Sequence, residues 1–149
     1  MIFDRTSADV LAAKNIRADK VQKFIELTDE DIQVLERGMV TINTLNRIES
    51  KQAEIKTILN DMGYFNTPIV NKMWEYNDIF AEADLQRLVD NNASLRRAFY
   101  VLSDSPRDAI AKYHYIEFNA LEKILVDISE NIDFAKSQYR ECGAIECGG

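Results

Sequence analysis

The stretch Thr41–Gly63, TINTLNRIESKQAEIKTILNDMG, decides how this chain folds. Thr41 is suited to start a helix, because its hydroxyl can accept a bond from a first-turn amide. Gly63 is suited to end one, because it adopts a left-handed backbone without steric cost. Between them Leu45, Ile48, Gln52, Ile55, Leu59 and Met62 recur at spacings of 3-4-3-4-3. That stripe predicts a helix packed along a partner at a shallow angle. About 21 residues at 1.5 Å each span roughly 31 Å.

The pattern returns 40 residues later. Leu45 then meets Leu85, Arg47 meets Arg87, Ile48 meets Leu88, Gln52 meets Asn92, Ile55 meets Leu95 and Leu59 meets Phe99. Its opening returns once more, INTLNRI (Ile42–Ile48) against FNALEKI (Phe118–Ile124). Shared amphipathic spacing explains the apolar matches; the shared arginine and amide favour duplication. The amides have two readings. Buried, they fix register at a cost in stability; at the wet edge of the seam, the preferred reading, they cost nothing.

The rest of the chain reads as further helices. Thr6 caps a first helix, with Asp9 three residues on, expected to run to about Leu27 through Val10, Ala13, Ile16, Val21 and Phe24. Thr28, followed by Asp29, Glu30 and Asp31, opens a short helix carrying Ile32 and Leu35, with Gly38 at its end. A fourth is expected from about Glu82 to Leu102, then a Ser/Asp/Pro turn at Ser103–Asp108. A fifth is expected to begin between Tyr115 and Asn119 and run to about Tyr139, with Phe118, Leu121, Ile124, Ile128, Ile132 and Ala135 on its apolar face.

The predicted architecture is all-α: an antiparallel bundle of about five helices, three of them long. It forms a single domain, with a first helical unit (1–63), an aromatic-rich connector (64–80), a second unit (81–140) and a short extended tail (141–149). The connector, with Tyr64, Phe65, Trp74, Tyr76 and Phe80, is too apolar for a free linker and should pack across the helices.

Composition narrows the function. The 149 residues, 46% apolar and 29% charged, suit one globular domain without a metal or disulfide staple. The net charge of −7 is spread over both halves, so an extended nucleic-acid surface is not expected. No apolar run reaches the roughly 18–20 residues that cross a bilayer, and MIFDRTSADV does not read as a signal peptide. Both cysteines, Cys142 and Cys147, lie in the tail, consistent with synthesis in a reducing cytoplasm.

No chemistry-bearing constellation emerges. His114 is the single histidine, with no Ser or Cys nucleophile in a recognisable setting beside it. The two cysteines are too few for a four-ligand zinc site. The acids at Asp29–Asp31, Asp127, Glu130 and Asp133 match no calcium loop. There is no phosphate-binding glycine motif. The expectation is a non-enzyme with no cofactor and no metal. Candidate contact residues are the aromatics Trp74, Tyr76, Phe80, Tyr113 and Tyr115, which fit either core or interface anchors. Cys142, Ile145 and Cys147 of the repeated tail ECGAIECGG fit either a disordered end or a strand docked on a neighbour.

The opening FDRTSADV, then Gly38, then TLNRIE (Thr44–Glu49), resembles a segment of minor structural and tail proteins of bacteriophages and prophages of Gram-positive gut bacteria. Asp4, Arg5, Thr6, Asp9, Val10, Leu45, Asn46, Arg47, Ile48 and Glu49 carry the match. DLQRLVDNNASLRRAFYVLSDSP (Asp84–Pro106) and NALEKIL (Asn119–Leu125) follow the same layout, while the ECG tail departs from it. The resemblance implies a non-enzymatic virion protein, of the tail or tail tip, located in the virion and in the host cytoplasm during assembly. Its implied partners are other virion proteins, with no nucleic acid or membrane and with self-association open. The alternative is a small acidic module that binds a host protein. Physically, the motif is expected to be structural, with Arg47 pairing Asp4 or Asp9 to pin the chain's start to the Thr41–Gly63 helix.

Overall fold

The computed structural model describes residues 1–64, 69–99 and 105–148, with the side chains of the last helix described as far as residue 138. Five α-helices are present among the described residues: α1 (Ser7–Ile16), α2 (Asp29–Gly38), α3 (Ile42–Asp61), α4 (Glu82–Ala98) and α5 (Tyr115–Gly148). A π-helical turn, Arg17–Val21, follows α1.

The helix starts obey local chemistry. Thr6 and Thr28 each accept the amide three residues on and donate their own to Asp9 or Asp31. Thr41 and Thr44 make the same reciprocal pair at α3. α4 has half of it: Asp84 accepts the Ala81 amide, and Ala81 has nothing to return. α3 closes as its sequence predicts. Gly63 is left-handed at φ 88°, and the Tyr64 amide bonds back to the Leu59 carbonyl.

α3, α4 and α5 each pack on the other two and enclose the core. The predicted seams are buried, joined by Val89 and Leu125, which the stripes do not include. Leu45, Ile48, Ile55 and Leu59 meet Leu85, Leu88 and Leu95, and Phe118, Leu121, Ile124, Ile128 and Ile132. Gln52 and Asn92 do not sit at a wet edge. They are 0% and 2% exposed, and the Gln52 amide nitrogen donates to Asn92 Oδ1 at 2.8 Å. The Gln52 nitrogen also reaches the Leu88 carbonyl, and its oxygen accepts from Asn71 and Asn91. Asn92 donates to the Leu121 carbonyl, so the network ties all three helices. Each polar atom of the two amides has a partner, which is what lets them be buried.

The helix direction differs from the antiparallel expectation: the long helices run parallel. Glu49 meets Arg87, Gln52 meets Asn92, and Tyr64, just past α3, stacks edge-on against Phe99 at the end of α4 with centroids 5.3 Å apart. Phe80 and Tyr113, just before α4 and α5, likewise lie 6.2 Å apart. The reason is connector length. Residues 62–81 and 99–114 separate the helices. At about 3.3–3.6 Å per residue, either stretch can retrace a whole helix. The first does so: Lys56 bonds the Ile69 carbonyl, Gln52 bonds Asn71, Glu49 accepts the Lys72 amide, and Asn46 holds Trp74.

The N-terminal lead and the two return segments lie in the grooves between the long helices. Residues 1–6 lie along α5 beside α3, residues 69–80 along α3 beside α4, and residues 105–114 along α5 beside α4. The described part of the connector, 69–80, packs against the helices as its composition predicts, with Ile69 and Trp74 buried, while Phe65 lies outside the described residues.

Three boundaries differ from expectation. α1 passes at Ile16 into the π turn, helical backbone ends at Val21, and residues 22–28 reverse the chain into α2. Lys20 pairs with Asp31 across the reversal, and Val21 and Phe24 are exposed rather than core. α4 ends at Ala98, and Leu102 lies outside the described residues. α5 continues as helix to Gly148 where an extended tail is expected, because no proline interrupts it and isolated glycines only weaken a helix.

Candidate functional site

The resemblance motif resolves into two clamps with the same design. In α3, Asn46 and Glu49 stand three residues apart on one face. Asn46 Oδ1 accepts the Trp74 amide at 2.7 Å, and its nitrogen donates to the Trp74 carbonyl at 3.0 Å. Glu49 accepts the Lys72 amide, Trp74 Nε1, Asn71 and Arg87. In α5, Asn119 and Glu122 repeat the arrangement. Asn119 accepts the Arg5 amide at 3.1 Å and donates to the Arg5 carbonyl at 2.9 Å. Glu122 accepts the Ile2 amide, Arg5 and Arg47. The first clamp thus grips a return segment and the second the N-terminal lead, each by its backbone, and each recruits one arginine from a neighbouring helix.

This fixes the internal repeat differently from its sequence register. The structure superposes the roles of Asn46-Arg-Ile-Glu49 and Asn119-Ala-Leu-Glu122, a shift of three residues from the INTLNRI/FNALEKI match. The shared N-x-x-E is legible in the sequence, but the INTLNRI/FNALEKI match sets Asn119 against Asn43 and so conceals it. Arg47 and Arg87, paired at the offset of 40, do play matching parts: each serves the carboxylate of another helix.

Arg47 does not pair with Asp4 or Asp9. Those acids bind Arg37 of α2, at 3.2 and 3.0 Å. The start of the chain is joined to α3 indirectly, with Arg5 and Arg47 sharing Glu122, whose side chain is fully buried. Arg5 also donates to the Arg37 carbonyl. Of the remaining motif residues, Thr6 and Asp9 cap α1, while Leu45 and Ile48 lie in the core. At Gly38, a Cβ would stand 2.1 Å from the Asp9 carbonyl oxygen, so glycine lets α2 close on α1.

The electrostatics follow. Burial opposes the charge of Glu49, yet the bonds from Arg87, Asn71, Trp74 and the Lys72 amide outweigh it and hold its carboxyl below the ordinary 4.5. Glu117 behaves likewise: burial raises it, and Arg107 with the Ile110 amide lowers it further. These buried acids are consumed in binding return segments. Among the described residues no group of three or more His, Cys, Asp or Glu could hold a metal ion. His114 Nδ1 accepts the Ile116 amide at the start of α5, and its ring lies 4.6 Å from Tyr115.

The expected contact aromatics divide. Trp74 is 3% exposed and belongs to the core, packed edge-on against Phe80. Tyr113 bridges Phe80 and Phe118 yet remains exposed, and Tyr115 is half-buried. Tyr76 stands free at 90% exposure. Cys142, Ile145 and Cys147 lie on the last turns of α5, and their side chains fall outside the described residues.

One concave site lies beside the second clamp and shares Arg5 with it. A groove of 590 Å³ opens between α1, the α2–α3 link and the start of α5. Val10, Leu11, Met39, Val40, Tyr115 and Phe118 supply its apolar lining. Lys14 and Arg17 stand at its α1 side without ion-pair partners among the described residues, and no lining residue is acidic. Its volume falls within the range of small-ligand or side-chain pockets. No helix of the described residues is long and apolar enough to cross a membrane. No protein-family model, curated protein or solved structure matches the chain.

Proposed function

We propose that this chain is a non-enzymatic structural protein of a bacteriophage or prophage particle, of the tail or tail-tip region, acting by docking to other virion proteins. The observation that carries the docking role is the outer face of the 69–80 segment. Its inner side chains are spent on the clamp, while Val70, Met73, Tyr76 and Ile79 are 66–90% exposed. Several large apolar side chains exposed on one short segment have the composition of an interface core. The assignment to a particle is supported by the sequence resemblance, whose DRT and LNRIE residues form connected joints of the scaffold. Mass spectrometry of purified particles tests the reading. The chain should be present in particles and lost from them when Tyr76 and Ile79 are both changed to serine. Absence from particles, with recovery on a host protein instead, would replace this reading with that of a small acidic host-binding module.

A further inference from the structure

The α1–α2 hairpin carries a projecting aromatic as well as the groove. After the π turn, the Ile25 amide bonds back to the Lys20 carbonyl, the same closure that ends α3. There the left-handed residue is Gly63; here it is Phe24, at φ 55°. A phenylalanine in this conformation is strained, since its Cβ crowds the following carbonyl. It gains no packing in return, because its side chain is 97% exposed. Val21 and Ile25 beside it are also exposed, and the flank carries Glu26, Asp29 and Glu30 against Lys23, all without ion-pair partners among the described residues.

We propose that Phe24 of one copy enters the groove of a second copy of this chain. The tip is aromatic and net acidic; the groove is apolar and carries the unpaired cations Lys14 and Arg17. Every chain presents both halves, the tip on the α1–α2 turn and the groove between α1, the α2–α3 link and the start of α5, so copies close into a reciprocal dimer or extend head-to-tail into a ring or filament. Opposite charges at the rim steer the encounter, and the buried ring anchors it. The assembly does not depend on membership of a particle, so its failure and that of the particle reading are separable.

Sedimentation equilibrium on the full chain tests this. The average mass should rise above 17.1 kDa as concentration increases from micromolar to millimolar, and fall back with added salt. Phe24→Gly removes the knob and relieves the strain, so it should melt higher than wild type yet remain monomeric. Leu11→Glu, at a position 59% exposed, puts an acid into the groove and should also remain monomeric with unchanged circular dichroism. Mixing the two variants restores one knob and one groove and should give a 1:1 dimer that grows no further. A monomeric wild type across the range, association of either variant at wild-type strength, or a mixture that stays monomeric would each overturn the proposal. Saturable binding of dodecanoate by a strictly monomeric wild type would assign the groove to an amphipathic anion instead.

Discussion

Glu122→Gln tests whether the start of the chain is held by a buried charge. The carboxylate is fully buried and receives Arg5 at 2.8 Å, Arg47 at 2.9 and 3.2 Å, and the Ile2 amide. Glutamine keeps the shape but replaces one acceptor oxygen with an NH2 group that faces donors. It also leaves Arg5, whose side chain is 3% exposed, without a counter-charge. Breaking a buried pair by removing one partner costs about 3–5 kcal/mol. In a chain of this size each kcal/mol lowers the melting temperature by about 2–4 °C, so a drop on the order of 10 °C is expected. Thermal melts followed by circular dichroism at neutral pH read it. Hydrogen exchange should locate it, with the Arg5 amide losing protection before the α3 core. Glu54→Gln is the control: its pair with Lys51 is exposed, and its effect should lie within about 0.5 kcal/mol. A Glu122→Gln melt within 2 °C of wild type would refute the reasoning, because the buried triad would then contribute nothing that a neutral amide cannot.

Gly38→Ala should destabilise by about 1–3 kcal/mol, since the new methyl meets backbone at Asp9 and the side chain of Ala13; urea titration measures it. Asn46→Ala removes both bonds to the Trp74 backbone and should cost about 1–3 kcal/mol, with a rise in exchange at the Trp74 amide. Acid titration should show the depressed carboxyls. Glu49 and Glu117 lie below 4.5 when folded, so their stabilisation is complete above that value and is lost as pH falls through the folded values. Melting temperature should therefore hold down to about pH 5 and drop below it, and Glu49→Gln should reduce the slope of that drop while lowering the plateau.

The clamps show where sequence reading reaches and where it stops. Spacing alone identified most buried apolar positions of α3, α4 and α5, because a side chain's place on a helix face depends on the helical period; Val89 and Leu125, beside the stripes, are buried by the third helix of the bundle. Capping was equally legible: Thr6, Thr28 and Thr41 act on residues three away. The first helix was overextended, because Val21 and Phe24 kept the period while the chain turned to pair Lys20 with Asp31. Partner choice was less legible still. Arg47 had several acids to choose from, and the one it takes lies 75 residues away.

By itself the sequence determined that this protein is a helical bundle, where most of its helices begin, and which faces its long helices bury. Those properties are settled within a few turns of chain. Tertiary structure alone decided that the long helices run parallel, that Gln52 and Asn92 are buried, and that Asn46–Glu49 and Asn119–Glu122 are matching clamps. Apolar periodicity is the same for a helix pointing either way. Direction enters only when the lead and the return segments are laid into the grooves and their backbone amides find the buried carboxylates.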